Sequence, residues 1–211
     1  MRLVHYGHAC VLVETDSTRL LFDPGAFSSG FEELTDLDAV LITHQHPDHI
    51  DVRKLPELLA ANPRATLYTD PGTAHEIAEL DLAPTVLHAG DAVQVAGAAL
   101  TVVGGEHAVI HPDLPTVPNT GFIVDHGAFY HPGDSFFVPE QAIDVLGLPT
   151  GAPWLKLSEA VEFYRAVAPR VAVPIHEAVL ASPQLHYTMF EALAPTGSAV
   201  SVLERGSAAA V

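Results

Sequence analysis

Between Leu41 and Asp51 the chain reads LITHQHPDHID, which sets three histidines and two aspartates directly behind a short apolar run. On an extended segment side chains alternate, so His44 and His46 share a side. Two imidazoles converging on one point at a strand end is the geometry of metal ligands. Asp48 and His49 follow closely enough to reach a neighbouring point. Zinc accepts such nitrogen and oxygen donors at ~2.0–2.2 Å. The competing reading is a solvated histidine-rich loop, or a helix start capped by Asp48. Four ligand-type residues packed into positions 44–49, behind a buried strand, weigh against it.

The elements around this cluster follow from apolar period and turn chemistry. DAVLIT, residues 38–43, reads as a buried strand that delivers the chain into the cluster. Ahead of it RLVHY, CVLVET and TRLLFDPG read as strands, with turns at Asp16-Ser17 and Pro24-Gly25. DVRKLPELLAAN predicts a helix with Pro56 in its first turn, and ATLYTD a further strand. Thr73 and Glu76 have capping-box spacing for a short helix, AHEIAEL. DAVQVAG, AALTVVGG, TGFIVD and AFYHPG predict four more strands. LSEAVEFYRAVA then predicts a helix with Ser158 as its N-cap, RVAVPIHE a strand, SPQLHYTMFEALA a helix and AVSVLE a last strand. The closing GSAAAV is expected to fray. Two β-rich blocks with outer helices point to an α+β sandwich.

The H-x-H-x-D-H cluster resembles the signature of the metallo-β-lactamase superfamily, and the other signature residues occur in order. VVGGEHA carries His107, YHPGDS carries Asp134 and VPIHE carries His176, each close behind a strand. The resemblance implies an α+β, four-layer αβ/βα sandwich formed by residues 1–211 as a single domain. It also implies that His44, His46 and His107 hold one metal and that Asp48, His49 and His176 hold a second. Asp134 would bridge the two. The implied cofactors are two divalent cations, with zinc first and manganese or iron compatible with the same donors. Asp48 and Asp134 are the implied catalytic carboxylates, Asp48 orienting a hydroxide and taking its proton.

Several further residues are candidates beside that set. His111 rivals His107, but His107 leaves its strand directly whereas His111 precedes Pro112. Asp23, in LLFDPG, is placed to brace a ligating histidine; an ordinary turn before Pro24-Gly25 is the plainer alternative. HYGHACVLVET, LLFDPG and APWLKLSEAVEFYRAVAPRVAVPIHE look like the branch of small hydrolases that includes the ascorbate-phosphate lactonase-like proteins. That likeness makes His8 a substrate-pocket candidate, joined by His111 and His131 on location. Trp154 and Phe136 or Phe137 are candidate pocket walls, as is the Pro-rich stretch from His111 to Gly121.

Composition narrows the partners. The 211 residues carry 26 acidic against 9 basic side chains, a formal net charge of −17. Such a surface repels nucleic acid and anionic membranes, so a small-molecule substrate is expected. The lone Cys10 makes no disulfide framework, and no apolar run approaches the ~18 residues of a membrane span. The N-terminal MRLVHYGHAC lacks a leader-type apolar stretch, and a cytoplasmic location is expected. The expected activity is metal-dependent hydrolysis of a small ester, lactone or phosphodiester. A mononuclear iron oxidoreductase of the persulfide dioxygenase kind and a non-catalytic metal-binding module are the alternatives.

Overall fold

In a computed structural model describing residues 1–211, the apolar runs become strands whose two faces enter different cores. One sheet contains β1 (Arg2–Gly7), β2 (Cys10–Glu14), β3 (Arg19–Phe22), β4 (Ala39–Ile42), β5 (Thr66–Thr69) and β6 (Thr85–Val86). The other contains β7 (Ala92–Val95), β8 (Ala98–Glu106), β9 (Pro118–Val124), β10 (Phe129–His131), β11 (Val145–Pro149), β12 (Val171–Ile175) and β13 (Ala199–Val200). A last strand, β14 (Ala208–Ala210), joins the first sheet, giving the order β14-β1-β2-β3-β4-β5-β6 against β13-β12-β11-β10-β9-β8-β7. The first sheet is antiparallel through β1-β2-β3 and parallel from β3 onward, apart from the antiparallel β14 edge, and the second is antiparallel through β7-β8-β9-β10 and parallel from β10 onward.

Alternation along β2 and β4 shows how the layers arise. Val11, Val13, Ala39 and Leu41 enter the core between the sheets, where they meet Phe122, Val124 and Val173 of the second sheet. Cys10, Leu12, Val40 and Ile42 face outward onto Leu55 and Leu58 of α1 (Leu55–Ala61). In the second sheet Ile123, Leu146 and Ala172 pack on α3 (Leu157–Val167) and α4 (Gln184–Leu193) through Phe163, Tyr164 and Phe190. Strands covered on both faces must be apolar at consecutive positions, hence the unbroken runs in the sequence. The result is the expected α+β sandwich of helix, sheet, sheet and helix.

Four local expectations are corrected. The short helix is α2 (Pro71–Glu76), and its cap is Asp70, whose carboxylate accepts the N–H groups of Gly72 and Thr73. Thr73 lies inside that helix, because Pro71 starts it earlier. Ser158 falls in the first turn of α3, after an extended Lys156 that offers no side-chain cap. The C-terminal alanines pair as β14 along β1, covering an edge that would otherwise be open. β11, whose Gly147 and Pro149 disguise it, lies between β10 and β12. No helix is long and apolar enough to cross a membrane.

The topology decides where the chemistry sits. β3, β4, β10, β11 and β12 end at Phe22, Ile42, His131, Pro149 and Ile175, immediately ahead of Asp23, Thr43-His44, the 132–134 turn, Thr150-Gly151 and His176. The turn between β1 and β2 adds His8, and the end of β8 adds His107.

Candidate metal centre

Two groups of side chains converge at this edge, each with donor atoms within 4.8 Å of one another. One is His44, His46, His107 and Asp134, and the other is His8, Asp48, His49 and His176. His44 Nε2 and His46 Nδ1 stand 3.0 Å apart, and His107 Nε2 is 3.3 Å from Asp134 Oδ2. In the second group His49 Nε2 and His176 Nε2 stand 3.1 Å apart, with Asp48 Oδ2 3.4 Å from His176 Nε2. Asp134 reaches both groups. Its Oδ1 lies 3.0 and 3.1 Å from the Nε2 atoms of His49 and His176, on the opposite oxygen from the one facing His107.

Hydrogen bonds on the outer nitrogens determine where the lone pairs point. His49 Nδ1 donates to Asp23 Oδ2 at 2.7 Å, His176 Nδ1 to the Gly151 carbonyl at 2.6 Å and His107 Nδ1 to the Ala108 carbonyl at 2.5 Å. His44 Nδ1 donates to Thr43 Oγ1 at 3.0 Å, and that hydroxyl donates to Asp23 Oδ2. With Nδ1 protonated, each ring presents a bare Nε2 to the interior. Ligating histidines are typically oriented in this way by an oxygen behind the ring. Asp23 therefore holds His49 directly and His44 through Thr43.

His8 has the opposite tautomer. Its Nδ1 accepts the Ala178 N–H at 3.2 Å, so the proton resides on Nε2, which donates to Asp48 Oδ2 at 3.0 Å. A neutral His8 has no lone pair left for a metal. It is fully buried and grips Asp48, so it does not line a substrate pocket. His131 is also removed from that role. It is buried against Phe22, with Nε2 donating to the Ala9 carbonyl and Nδ1 accepting the Gly133 N–H. His111 lies exposed on its loop, its Nδ1 accepting the Asp113 N–H, outside both groups. His8 and His131 thus have both ring nitrogens committed to other protein groups, and His111 stays on its own loop.

Two supports were not foreseen in these roles. Trp154 sends its indole N–H to Asp134 Oδ2 at 2.7 Å, and Asn119 accepts the Asp134 N–H through Oδ1 at 2.9 Å. Neither carries a local signal, since their partners are 20 and 15 residues away. Two glycines allow the backbones to close. A Cβ on Gly25 would lie 1.8 Å from the Asp48 carbonyl oxygen. Gly133 has φ of +61°, and a Cβ there would lie 2.3 Å from Asn119 Oδ1. His8, Asp23 and His176 also hold left-handed backbone, at φ of 53°, 45° and 62°, a conformation that gathers at functional sites.

The electrostatics call for a cation. Asp23, Asp48 and Asp134 crowd this edge, and every ionisable side chain paired with them is a histidine. Burial alone would lower the His49 and His176 pKa values, but the Asp134 carboxylate overrides it, raising His49 well above the usual range and His176 to about 9. Burial opposes ionisation of Asp134 as well, yet the His49 and His176 charges hold it far below the usual carboxylate range. His44, by contrast, is pushed down by burial and stays neutral. His107 Nε2 and Asp134 Oδ1 are buried without hydrogen-bond partners. Divalent cations fit this site: they would satisfy the orphaned atoms and replace the protons drawn to His49 and His176.

Fold and site together define a metallo-β-lactamase-type protein. The chain belongs to that superfamily: its residues 2–176 match the family described as the beta-lactamase superfamily domain. It is 54% identical to protein Rv0786c of Mycobacterium tuberculosis over 185 residues, 86% of either chain. It is 29% identical to a UPF0173 metal-dependent hydrolase of Opitutus terrae over 206 residues, 83% of this chain and 84% of that one. Among solved structures it is similar to Igni18, a metallo hydrolase of the archaeon Ignicoccus hospitalis, with a TM-score of 0.74 and 22% identity over 99% of this chain and 97% of the other.

Proposed function

We propose that this chain is a metal-dependent hydrolase with a dinuclear centre, acting on a small ester, lactone or phosphodiester. The observation that carries the reading is the placement of Asp134, whose two oxygens face different histidine groups. The relative named as a UPF0173 metal-dependent hydrolase supports the same reaction class. His44, His46 and His107 would hold one cation and Asp48, His49 and His176 the other, with Asp134 shared. When bound, such a pair supplies a nucleophilic water near neutral pH and positive charge against a developing oxyanion.

The chain's own groups provide placement. Asp23, Thr43 and the carbonyls of Gly151 and Ala108 keep the imidazoles in register. Asp48 is the part-exposed carboxylate of the cluster. Although burial opposes it, His176 and His8 beside it hold its pKa far below the usual range. Its part is to orient the attacking water. Zinc is the metal that this nitrogen-rich set favours first; manganese and iron use the same donors.

Metal analysis with a substrate panel tests the proposal. About two zinc or manganese ions per chain, with hydrolysis of one panel class, is the expected result. Asp134→Ala should empty both sites and abolish turnover while the fold persists. One iron per chain, with oxygen consumed and no hydrolysis, would instead favour the oxidoreductase.

A further inference from the structure

The protein exposes twelve large apolar side chains, and five of them, Phe27, Val109, Ile110, Leu114 and Phe137, sit beside this one edge. Val109 and Ile110 follow His107, and Phe137 follows Asp134. Leu114 lies further along the His107 loop, where it shares a small cavity with Ile110, His46 and His107. Across the site Phe27 packs edge-on to His8, with ring centres 5.2 Å apart. Apolar groups gathered around a polar centre mark a binding surface more reliably than the same groups scattered singly.

Beside His107 this rim opens into a cleft of about 490 Å³, lined by Val109, Phe136 and Phe137 with Gly104, Ala108 and Ser135. That volume is in the ~300–1,000 Å³ range of small-molecule sites. The charged lining group is Glu106, and neither lysine nor arginine lines this cleft or the cavity behind His46. Seven of the nine basic residues are paired with carboxylates, as in Arg170–Asp144 and Lys54–Glu32. Lys156 sits at the start of α3, and Arg205 lies against Gly7 with its guanidinium bonded to the Phe27 carbonyl. A cleft that received an anionic group on the substrate's arm would be expected to place a lysine or arginine there.

We propose that this cleft receives the apolar acyl or aryl arm of an uncharged carbonyl substrate, which makes neutral esters or lactones the substrate class and disfavours substrates that carry an anionic group on that arm. The proposal rests on the hydrolase reading above. Water adds at the acyl carbon, the acyl C–O bond breaks, and a carboxylic acid and an alcohol leave without redox change. The acid ionises beside Glu106, and that repulsion favours its departure from the apolar arm's position.

The test compares p-nitrophenyl acetate, butyrate, hexanoate and hemisuccinate with bis-p-nitrophenyl phosphate, using metal-loaded protein and one leaving group throughout. The expected result is kcat/KM rising at least roughly tenfold from acetate to hexanoate, as partial burial of the four added methylenes contributes, with the hemisuccinate and the phosphodiester at least about tenfold poorer than butyrate. Phe137→Ser should raise the KM for hexanoate about fivefold more than the KM for acetate. Phe137→Lys should bring the hemisuccinate up toward butyrate. Preference for the hemisuccinate or phosphodiester in the unmodified protein would overturn this proposal and leave the hydrolase reading standing. No hydrolysis of any panel member by protein holding two metals would overturn both. If Phe137→Ser instead changed the molar mass in solution and left chain-length preference intact, the rim would be a contact between copies, and the proposal would fail.

Discussion

The indole nitrogen of Trp154 lies 2.7 Å from Asp134 Oδ2, the same oxygen that faces His107 at 3.3 Å. The indole therefore turns one oxygen of the carboxylate toward the His44 group and leaves the other for His49 and His176. The ring is buried, packed edge-on to His107 and Phe136. Trp154→Phe preserves most of that packing and removes the donor. Metal affinity, measured by chelator competition, should fall about 10- to 100-fold. Unchanged affinity and unchanged kcat/KM would mean that Asp134 is held by its backbone alone.

His8 controls the other carboxylate. It is a positioning residue for Asp48, and its loss should affect the second cation more than the first. His8→Ala is expected to lower the metal content from about two ions per chain toward one. His8→Gln, whose amide N–H can still reach Asp48, should restore part of it. Elemental analysis of the two variants decides the matter; equal, full occupancy in both would remove His8 from any role in the site.

Gly133 is a backbone prediction. The left-handed φ of +61° and the 2.3 Å approach to Asn119 Oδ1 leave no room for a methyl group. Asn119 also receives the Asp134 N–H, so a displaced Asn119 would move Asp134. Gly133→Ala should destabilise the fold by about 1–3 kcal/mol and reduce metal content, with denaturant melts and elemental analysis as the paired readouts. A variant with normal stability and two metals would contradict this packing account.

Protonation gives a prediction for the metal-stripped protein. His176 is raised to about 9, burial opposing and Asp134 prevailing, above its unfolded value of about 6.5. Its protonated form then stabilises the fold fully below about pH 6.5, and the contribution is lost as pH rises through about 9. The Tm of stripped protein should fall across that window. Added zinc should raise the Tm most at its alkaline end, because fewer protons remain to be displaced. Scanning fluorimetry with chelator or with zinc at several pH values measures both; a stripped-protein Tm that rises from pH 6.5 to 9 would refute the assignment.

What depends on neighbours along the chain is legible in the residues alone. The unbroken apolar runs at 10–13 and 39–42 and the 3.6-residue period of α3 are local patterns, and they define strands and helix. His44, His46, Asp48 and His49 were equally legible, because one turn of loop behind one buried strand brings them together. Local reading failed where the partner is distant. His8 reaches Asp48 across 40 residues and His131 reaches Ala9 across 122, so neither ring's role could be read from its neighbours. The alanines of β14 have weak strand propensity, and it is the open edge of β1 that orders them. Strand order decided the rest. By setting β4, β10 and β12 with their C-terminal ends on one edge, the two sheets bring donors from residues 44, 134 and 176 within a few ångströms. Local pattern specifies each strand; the burial of both faces of two sheets selects the one arrangement in which those ends meet.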